Sequence, residues 1–494
     1  MFEHLAPLQV VLPLLASPVC ALIRHRRTVH MLTLLVTSLT FGISLMLSAQ
    51  VAEGGVIAYA LGGWAAPVGI EYRIDALTVL VLMIVSGIGA AVMWYSHESL
   101  DIEIPYDQYS RFHVMYLLSL SGLLGIVITG DLFNVFVFLE ISALSSYVLI
   151  SLGRDRRALA AAYQYLIMGT IGATFILIGI GLMYMMTGTL NMADMAVRLR
   201  GVAETRTVLA AFGFLTIGIG IKMALFPFHL WLPNAYTYAP SVVTAFLAGT
   251  ATKVAVYVLL RFSLSVYGVE FAFERMPLST VLMVLALVAM FSASLVAIFQ
   301  QDVKRLLAYS SVAQIGYMVL GISFASVLGL TGGIVHMANH AVMKAMLFCA
   351  LGCVVARIGS THIDDMRGIG KDMPLTMGAF VVGGVGLIGV PGTAGFISKW
   401  YLVQAALAGG YWPIAALILA SSLLAVVYVW KVIEVAWFEA PPPGRGKVRE
   451  APLSMLVPMW LLVVATVWFG IDGELTSGLA RRAAEALLGS GGAA

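Results

Sequence analysis

Runs of about 20 apolar residues, separated by short polar connections, dominate the chain. They fall near 5–23, 31–50, 75–95, 112–129, 132–152, 160–187, 207–229, 240–267, 278–299, 305–327, 329–357, 375–408, 411–438 and 452–470. A helix needs about 20 such residues to cross the hydrocarbon core of a bilayer. Leu, Ala, Gly and Met follow one another within the runs, without the alternation of polar and apolar residues that marks a barrel strand. The pattern predicts an all-α polytopic membrane protein with about fourteen transmembrane helices.

Composition agrees. Of 494 residues, 61% are hydrophobic and 11% charged, and the mean hydropathy is +0.96. The first run follows Glu3 with no basic residue before it and precedes Arg24, Arg26 and Arg27, which is the reverse of a cleaved signal peptide, so it is read as a retained first helix. Basic residues concentrate in the connections after odd-numbered spans, among them Arg24, Arg26, Arg27, Arg154, Arg156, Arg157, Lys304, Arg305, Arg357, Arg367, Lys371, Arg445 and Lys447. By the positive-inside rule those connections face the cytoplasm and both termini lie outside. The net charge of +3 is scattered over loops, so nucleic acid is not an expected partner.

Against this background the polar residues inside the runs stand out. Glu140 lies near the middle of the fifth, among Ser142, Ser145, Ser146 and Tyr147, and a carboxylate at that depth needs pairing, hydrogen bonds or a proton. Lys222 and Lys253 lie within the seventh and eighth. Between them Pro227, Pro233 and Pro240 prevent a regular helix, and broken membrane helices line cavities and ion sites in transporters. In the eleventh, His336, His340 and Lys344 recur at i, i+4 spacing and share one face, which reads as a proton relay. The twelfth is broken at Pro391-Gly392 and carries Lys399, a counterpart of the Pro227 break beside Lys222.

Other motifs are set aside. The histidines lack an accompanying carboxylate or cysteine, and Lys344 would repel a cation, so no metal is expected. Cys20, Cys349 and Cys353 are too few for an iron–sulfur cluster and read as small buried hydrophobes. Gly384, Gly386 and Gly389 form GxGxxG without a preceding strand or a following acid, which argues against a dinucleotide site. Asp75 and Asp131 read as helix caps, the acidic stretch 96–111 as a solvated connector, and Lys431 with Glu434 as a local ion pair. No cofactor is expected, and the chain reads as a transporter rather than a soluble enzyme.

The segments GDLFNVFVFLE, KMALFPFHLWLPNAY, QDVKRLLAYSS, NHAVMKAMLF and GVPGTAGFISKW, together with the residues above, resemble the antiporter-like subunits shared by respiratory complex I, membrane-bound hydrogenases and Mrp-type cation/proton antiporters. The resemblance spans nearly the whole chain, and among the branches it is most similar to the D-type subunits of the Mrp-type multisubunit antiporters. It implies two inverted five-helix repeats, each containing one broken helix, over 112–267 and 278–438, with 1–111 and 439–494 outside them. It also implies a mid-membrane line of charged residues in which Glu140, Lys222, Lys253 and Lys399 match the family's positions. PGT at 391–393 departs from relatives that have a second proline there.

The implied function is proton translocation within a multisubunit Na+ or K+/H+ antiporter of a bacterial cell membrane, assembled with other membrane subunits and exchanging protons for monovalent cations. The competing readings are a proton pump in a redox-driven complex and a non-transporting scaffold subunit. In the transport readings Lys222 holds its proton while Glu140 is close and releases it toward Lys253 when the pair separates. The proton then passes through His336, His340 or Lys344 to Lys399.

Overall fold

The computed structural model describes residues 4–489. Helices α1 (Leu5–Leu22) and α2 (Arg26–Gly54) lead to a two-stranded antiparallel hairpin, β1 (Ile57–Ala60) and β2 (Glu71–Ile74), within the connection between the second and third apolar runs. Asp75 then starts α3 (Ala76–Glu103), its carboxylate accepting from Thr78 N at 3.0 Å. The next helices are α4 (Tyr109–Ile128), α5 (Leu132–Ser151), α6 (Arg157–Thr187) and the short α7 (Met192–Leu199). Asp131 caps α5 by accepting from Asn134 N at 2.8 Å, whereas the Asn134 side chain donates to Thr129.

The stretch expected to be irregular divides into α8 (Arg206–Lys222), α9 (Trp231–Tyr238), α10 (Ser241–Gly249) and α11 (Ala251–Leu260). The chain continues through α12 (Leu278–Ile298), α13 (Val303–Ser323), α14 (Val327–Ile358), the one-turn α15 (Ile369–Asp372), α16 (Pro374–Ile388), α17 (Ala394–Ala408), α18 (Trp412–Phe438), α19 (Leu453–Ile471) and α20 (Glu474–Gly489). Twelve helices among the described residues are long and apolar enough to cross a membrane.

Three breaks differ from the simple run pattern. The seventh run stops being helical at Lys222, five residues before Pro227, because Ala224 takes a left-handed conformation, with φ of 57°. The eighth is interrupted at Thr250, where no proline announces it. The twelfth is two helices, α16 and α17, separated by Gly389 to Thr393.

The bundle is layered. The α10–α11 segment and α13 are almost wholly buried, whereas α1, α2, α6 and α12 bury well under half of their surface and turn Leu, Val and Met outward, as lipid-facing helices do. The most polar helices are therefore the innermost, shielded by the apolar ones. The glycine motif serves packing: a Cβ on Gly395 would lie 1.9 Å from the Gly386 carbonyl, so α16 and α17 touch backbone to backbone there.

Two expectations are corrected. Lys431 does not pair with Glu434; it donates to the carbonyls of Ile298, the last residue of α12, and Gln300 just beyond it, at 3.2 and 2.9 Å. The acidic stretch 96–111 is not a solvated connector throughout. The α3 helix runs on to Glu103, whose side chain is only 14% exposed and sits 3.7 Å from Lys304.

Candidate functional site: a buried line of protonatable side chains

Lys222 and Lys253 stand at breaks in their helices, and Lys399, in the second turn of α17, reaches back to one. The last carbonyls of a helix have no partner within it and carry partial negative charge. An ammonium held in apolar surroundings finds its acceptors there. Lys222 is the last residue of α8, and its Nζ donates to Glu140 Oε1 across a 3.1 Å ion pair. The Ile221 carbonyl beside it takes the indole N–H of Trp231 at 3.0 Å, and Tyr165 stacks on that indole with ring centroids 3.8 Å apart. Lys253 reaches back across the Thr250 break to the Ala248 carbonyl, with Thr252 Oγ1 at 3.4 Å. Lys399 extends from α17 to the end of α16, donating to Leu387 O, Ile388 O and Ser422 Oγ at 2.9 Å each, above the Tyr317 ring.

Snorkelling of Lys222 and Lys253 to the surface does not occur; they are 7% and 1% exposed. Among the described residues Lys222 has a carboxylate partner, and Lys253, Lys344 and Lys399 are held by carbonyls and hydroxyls. A cavity of about 20 Å³, enough for one water, lies beside Lys222 and is lined by Ser142, Ser146, Tyr165 and the α11 residues Ala251, Val254 and Ala255. It opens the space between the Glu140–Lys222 pair and the helix of Lys253.

The α14 stripe forms as its spacing implies. His336 and His340 stack with centroids 6.0 Å apart. His336 bonds Gln314 Oε1 at 2.9 Å and Ser398 Oγ at 2.8 Å, so it touches the residue next to Lys399. Both ring nitrogens of His340 are buried without a protein partner. Lys344 donates to Leu307 O at 2.7 Å and Ser310 Oγ at 2.5 Å.

One helix thus supplies partners along the second half of the line. From α13, Leu307 O and Ser310 serve Lys344, Gln314 serves His336, and Tyr317 lies under Lys399. The search for ionisable residues in apolar runs passes over Ser310, Gln314 and Tyr317. Their approximate i, i+4, i+7 spacing, with polar side chains on an almost fully buried helix, is the signal that marks them.

Four of the seven residues picked from sequence therefore group in two clusters. Glu140 and Lys222 form one, and His336 with Lys399 join through Ser398 in the other; Lys253, His340 and Lys344 lie on the central helices α11 and α14, which pack together. All seven carry titratable side chains, and all but the partly exposed Glu140 are buried, so each is chemically able to take up and release a proton.

The family signature described as "NADH:quinone oxidoreductase/Mrp antiporter, TM" matches residues 129–425, which hold all seven. The chain is 42% identical over 498 residues to NADH-quinone oxidoreductase subunit N of Desulforudis audaxviator, covering 96% of this chain and 97% of the relative. It is 30% identical over 432 residues to a Na(+)/H(+) antiporter subunit of Alkalihalophilus pseudofirmus, covering 87% and 86%. Among solved structures, a chain of the Mrp complex from Dietzia superposes with a TM-score of 0.90 at 26% identity, over 99% of this chain and 97% of that one. A chain of the membrane-bound sulfane sulfur reductase, an archaeal respiratory membrane complex, also reaches 0.90, at 30% identity and 98% coverage of both. The chain is a multi-pass membrane protein of the NADH:quinone oxidoreductase/Mrp antiporter family.

Proposed function

We propose that this chain is the proton-translocating subunit of a multisubunit Na+ or K+/H+ antiporter, in which Glu140, Lys222, Lys253, His336, His340, Lys344 and Lys399 carry protons across the middle of the bilayer. The observation that carries the reading is the Glu140–Lys222 ion pair at 3.1 Å. It stands at one end of the line, where an ammonium's hold on its proton depends on how close a single carboxylate lies.

The surface around Glu140 supports a partnered assembly. Its side chain is 26% exposed and lies in an outward stripe of α5 with Phe133, Val137, Leu144 and Val148. A partly exposed carboxylate in such a stripe is costly against lipid, and an adjacent membrane subunit covering it removes that cost. A move of that subunit against Glu140 would loosen the pair and let Lys222 pass its proton through the neighbouring cavity toward Lys253. We further propose that the repeats span 112–267 and 278–438, that the arginine-rich connections face the cytoplasm, and that both termini lie outside.

The similarity to a quinone oxidoreductase subunit and to a respiratory membrane complex favours one alternative, a proton pump driven by electron flow in partner subunits. Purifying the intact complex through a tag on this chain separates the two. A complex without flavin or iron–sulfur signals in optical and paramagnetic-resonance spectra supports the antiporter, whereas such signals transfer the chain to the redox-driven class. Within either, assembled Lys222→Ala and Glu140→Ala variants that keep full proton flux would sink the transport role.

A further inference from the structure

The line of lysines and histidines needs a connection to bulk water, and the structure holds a polar stripe that neither the sequence motifs nor the mechanism above uses. Tyr95, Ser99 and Glu103 recur at i, i+4, i+8 on α3, one face of a helix outside both expected repeats. All three point inward, with Tyr95 0% and Ser99 1% exposed. Ser99 Oγ donates to Glu103 Oε2 at 3.0 Å, and the Tyr95 hydroxyl donates to Cys349 O at 2.9 Å. Cys349 is five residues from Lys344 on α14, roughly 7.5 Å of helix rise.

The other end of the stripe reaches a cavity open to the surface. Glu103 lines a cavity of about 590 Å³ at the face that bears the arginine-rich connections. The cations around that cavity are Arg154, Arg157, Lys304 and Arg305, and the remaining titratable groups besides Glu103 are Asp155, Tyr238, Asp302 and His362. Within it the Glu103 carboxylate is partly buried, with its side chain 14% exposed. It accepts from Ser241 N and Ser241 Oγ, both at 2.9 Å, and faces Lys304 at 3.7 Å. It thereby holds the start of α10, the helix whose Ala248 carbonyl receives Lys253, and the start of α13, which receives Lys344.

We propose that Glu103 is the proton-loading group of the basic face, and that protons pass from it along Ser99 and Tyr95 to Lys344. This rests on the transport reading above. The Glu103 carboxylate takes a proton from cavity water while its bond to Lys304 loosens. The Ser99 hydroxyl turns from donating to accepting and takes that proton while giving up its own. Water bridges the gaps to the Tyr95 hydroxyl and on to a neutral Lys344 amine that ends protonated, and Glu103 is restored as a carboxylate paired with Lys304. No charge other than the proton moves, and no co-reactant is needed.

The test compares Glu103→Gln, Tyr95→Phe and Lys222→Ala with the parent in the intact complex. Proton flux is measured in everted vesicles while the pH on the basic face is varied at constant pH on the other. Glu103→Gln keeps an acceptor for Ser241 but cannot carry the proton. It is expected to lower flux by about 100-fold, the scale of a lost proton-transfer group, and to abolish the dependence on basic-face pH. Tyr95→Phe is expected to lower flux without altering assembly, and it decides the matter alone should Glu103→Gln fail to assemble. Flux and pH dependence equal to the parent in Tyr95→Phe, or reduced flux with unchanged pH dependence in Glu103→Gln, overturns the proposal and leaves Glu103 as a structural clamp. Loss of flux in Lys222→Ala in the same vesicles shows that the transport reading survives such a failure; full flux in Lys222→Ala removes that reading itself.

Discussion

Lys399 donates to the carbonyl of Ile388, the last residue of the helix before its own, at 2.9 Å. The lysine is thus the cap of a broken membrane helix as well as a candidate proton carrier. Releasing its proton leaves two N–H donors for three acceptors, the carbonyls of Leu387 and Ile388 and Ser422 Oγ, so protonation of Lys399 and the geometry of the α16–α17 break are coupled. The same logic applies to Lys253 across the α10–α11 break. At Lys222 the acceptor is instead the Glu140 carboxylate.

Gly389 tests this coupling. Its φ is +88°, and a Cβ there would come within 2.9 Å of Lys399 Cδ. Gly389→Ala is expected to cost about 1–2 kcal/mol from the left-handed backbone and to push Lys399 off the α16 carbonyls. Thermal unfolding of the purified complex should fall, and flux should fall further than the same loss of stability causes when introduced on the lipid face, for example by Leu423→Ala.

Ser422 offers a milder perturbation. Ser422→Ala removes one acceptor of Lys399 and leaves two carbonyls, at a cost of about 1 kcal/mol. Flux should persist with an altered pH optimum. An unchanged profile would show that the Lys399 proton is insensitive to its hydroxyl partner.

The ion pair predicts non-additivity. Breaking a buried pair by removing one partner costs about 3–5 kcal/mol, and the partial exposure of Glu140 places it at the low end of that range. Glu140→Gln and Lys222→Met should each destabilise the assembled complex, while the double variant recovers part of the stability and none of the flux. Equal, additive losses in a double-mutant cycle would mean that the two side chains do not interact.

Asp75 joins two regions. It caps α3 and binds the Arg261 guanidinium at 2.5 Å, and Arg261 in turn reaches the Tyr257 hydroxyl at 2.9 Å. Asp75→Ala removes the cap, worth about 1 kcal/mol, and strands a buried guanidinium. The expected result is a lower melting temperature that Asp75→Ala/Arg261→Leu partly restores.

Much of this protein can be read from the chain alone, because a bilayer offers no water to an unsatisfied backbone and so turns each long apolar run into a helix. The cost of an ionisable group at that depth likewise makes Glu140, Lys222, Lys253, the α14 stripe and Lys399 visible as candidates. Pro227 and Pro391-Gly392 announce two of the breaks, since proline removes a helix hydrogen bond. Sequence alone does not reveal what receives each ammonium. The acceptors of Lys344 lie 37 and 34 residues away on α13, and the Thr250 break that frees Ala248 O for Lys253 has no proline to mark it. Glu103 reads as one acid among several in a polar stretch, and only the approach of Ser241 and Lys304 from distant helices makes it a partly buried, paired carboxylate. Local composition determines which segments leave water, because that depends on each segment's own transfer free energy. The partner that satisfies each buried charge is decided by how the helices pack, because hydrogen bonds act over about 3 Å and follow distances in space rather than along the chain.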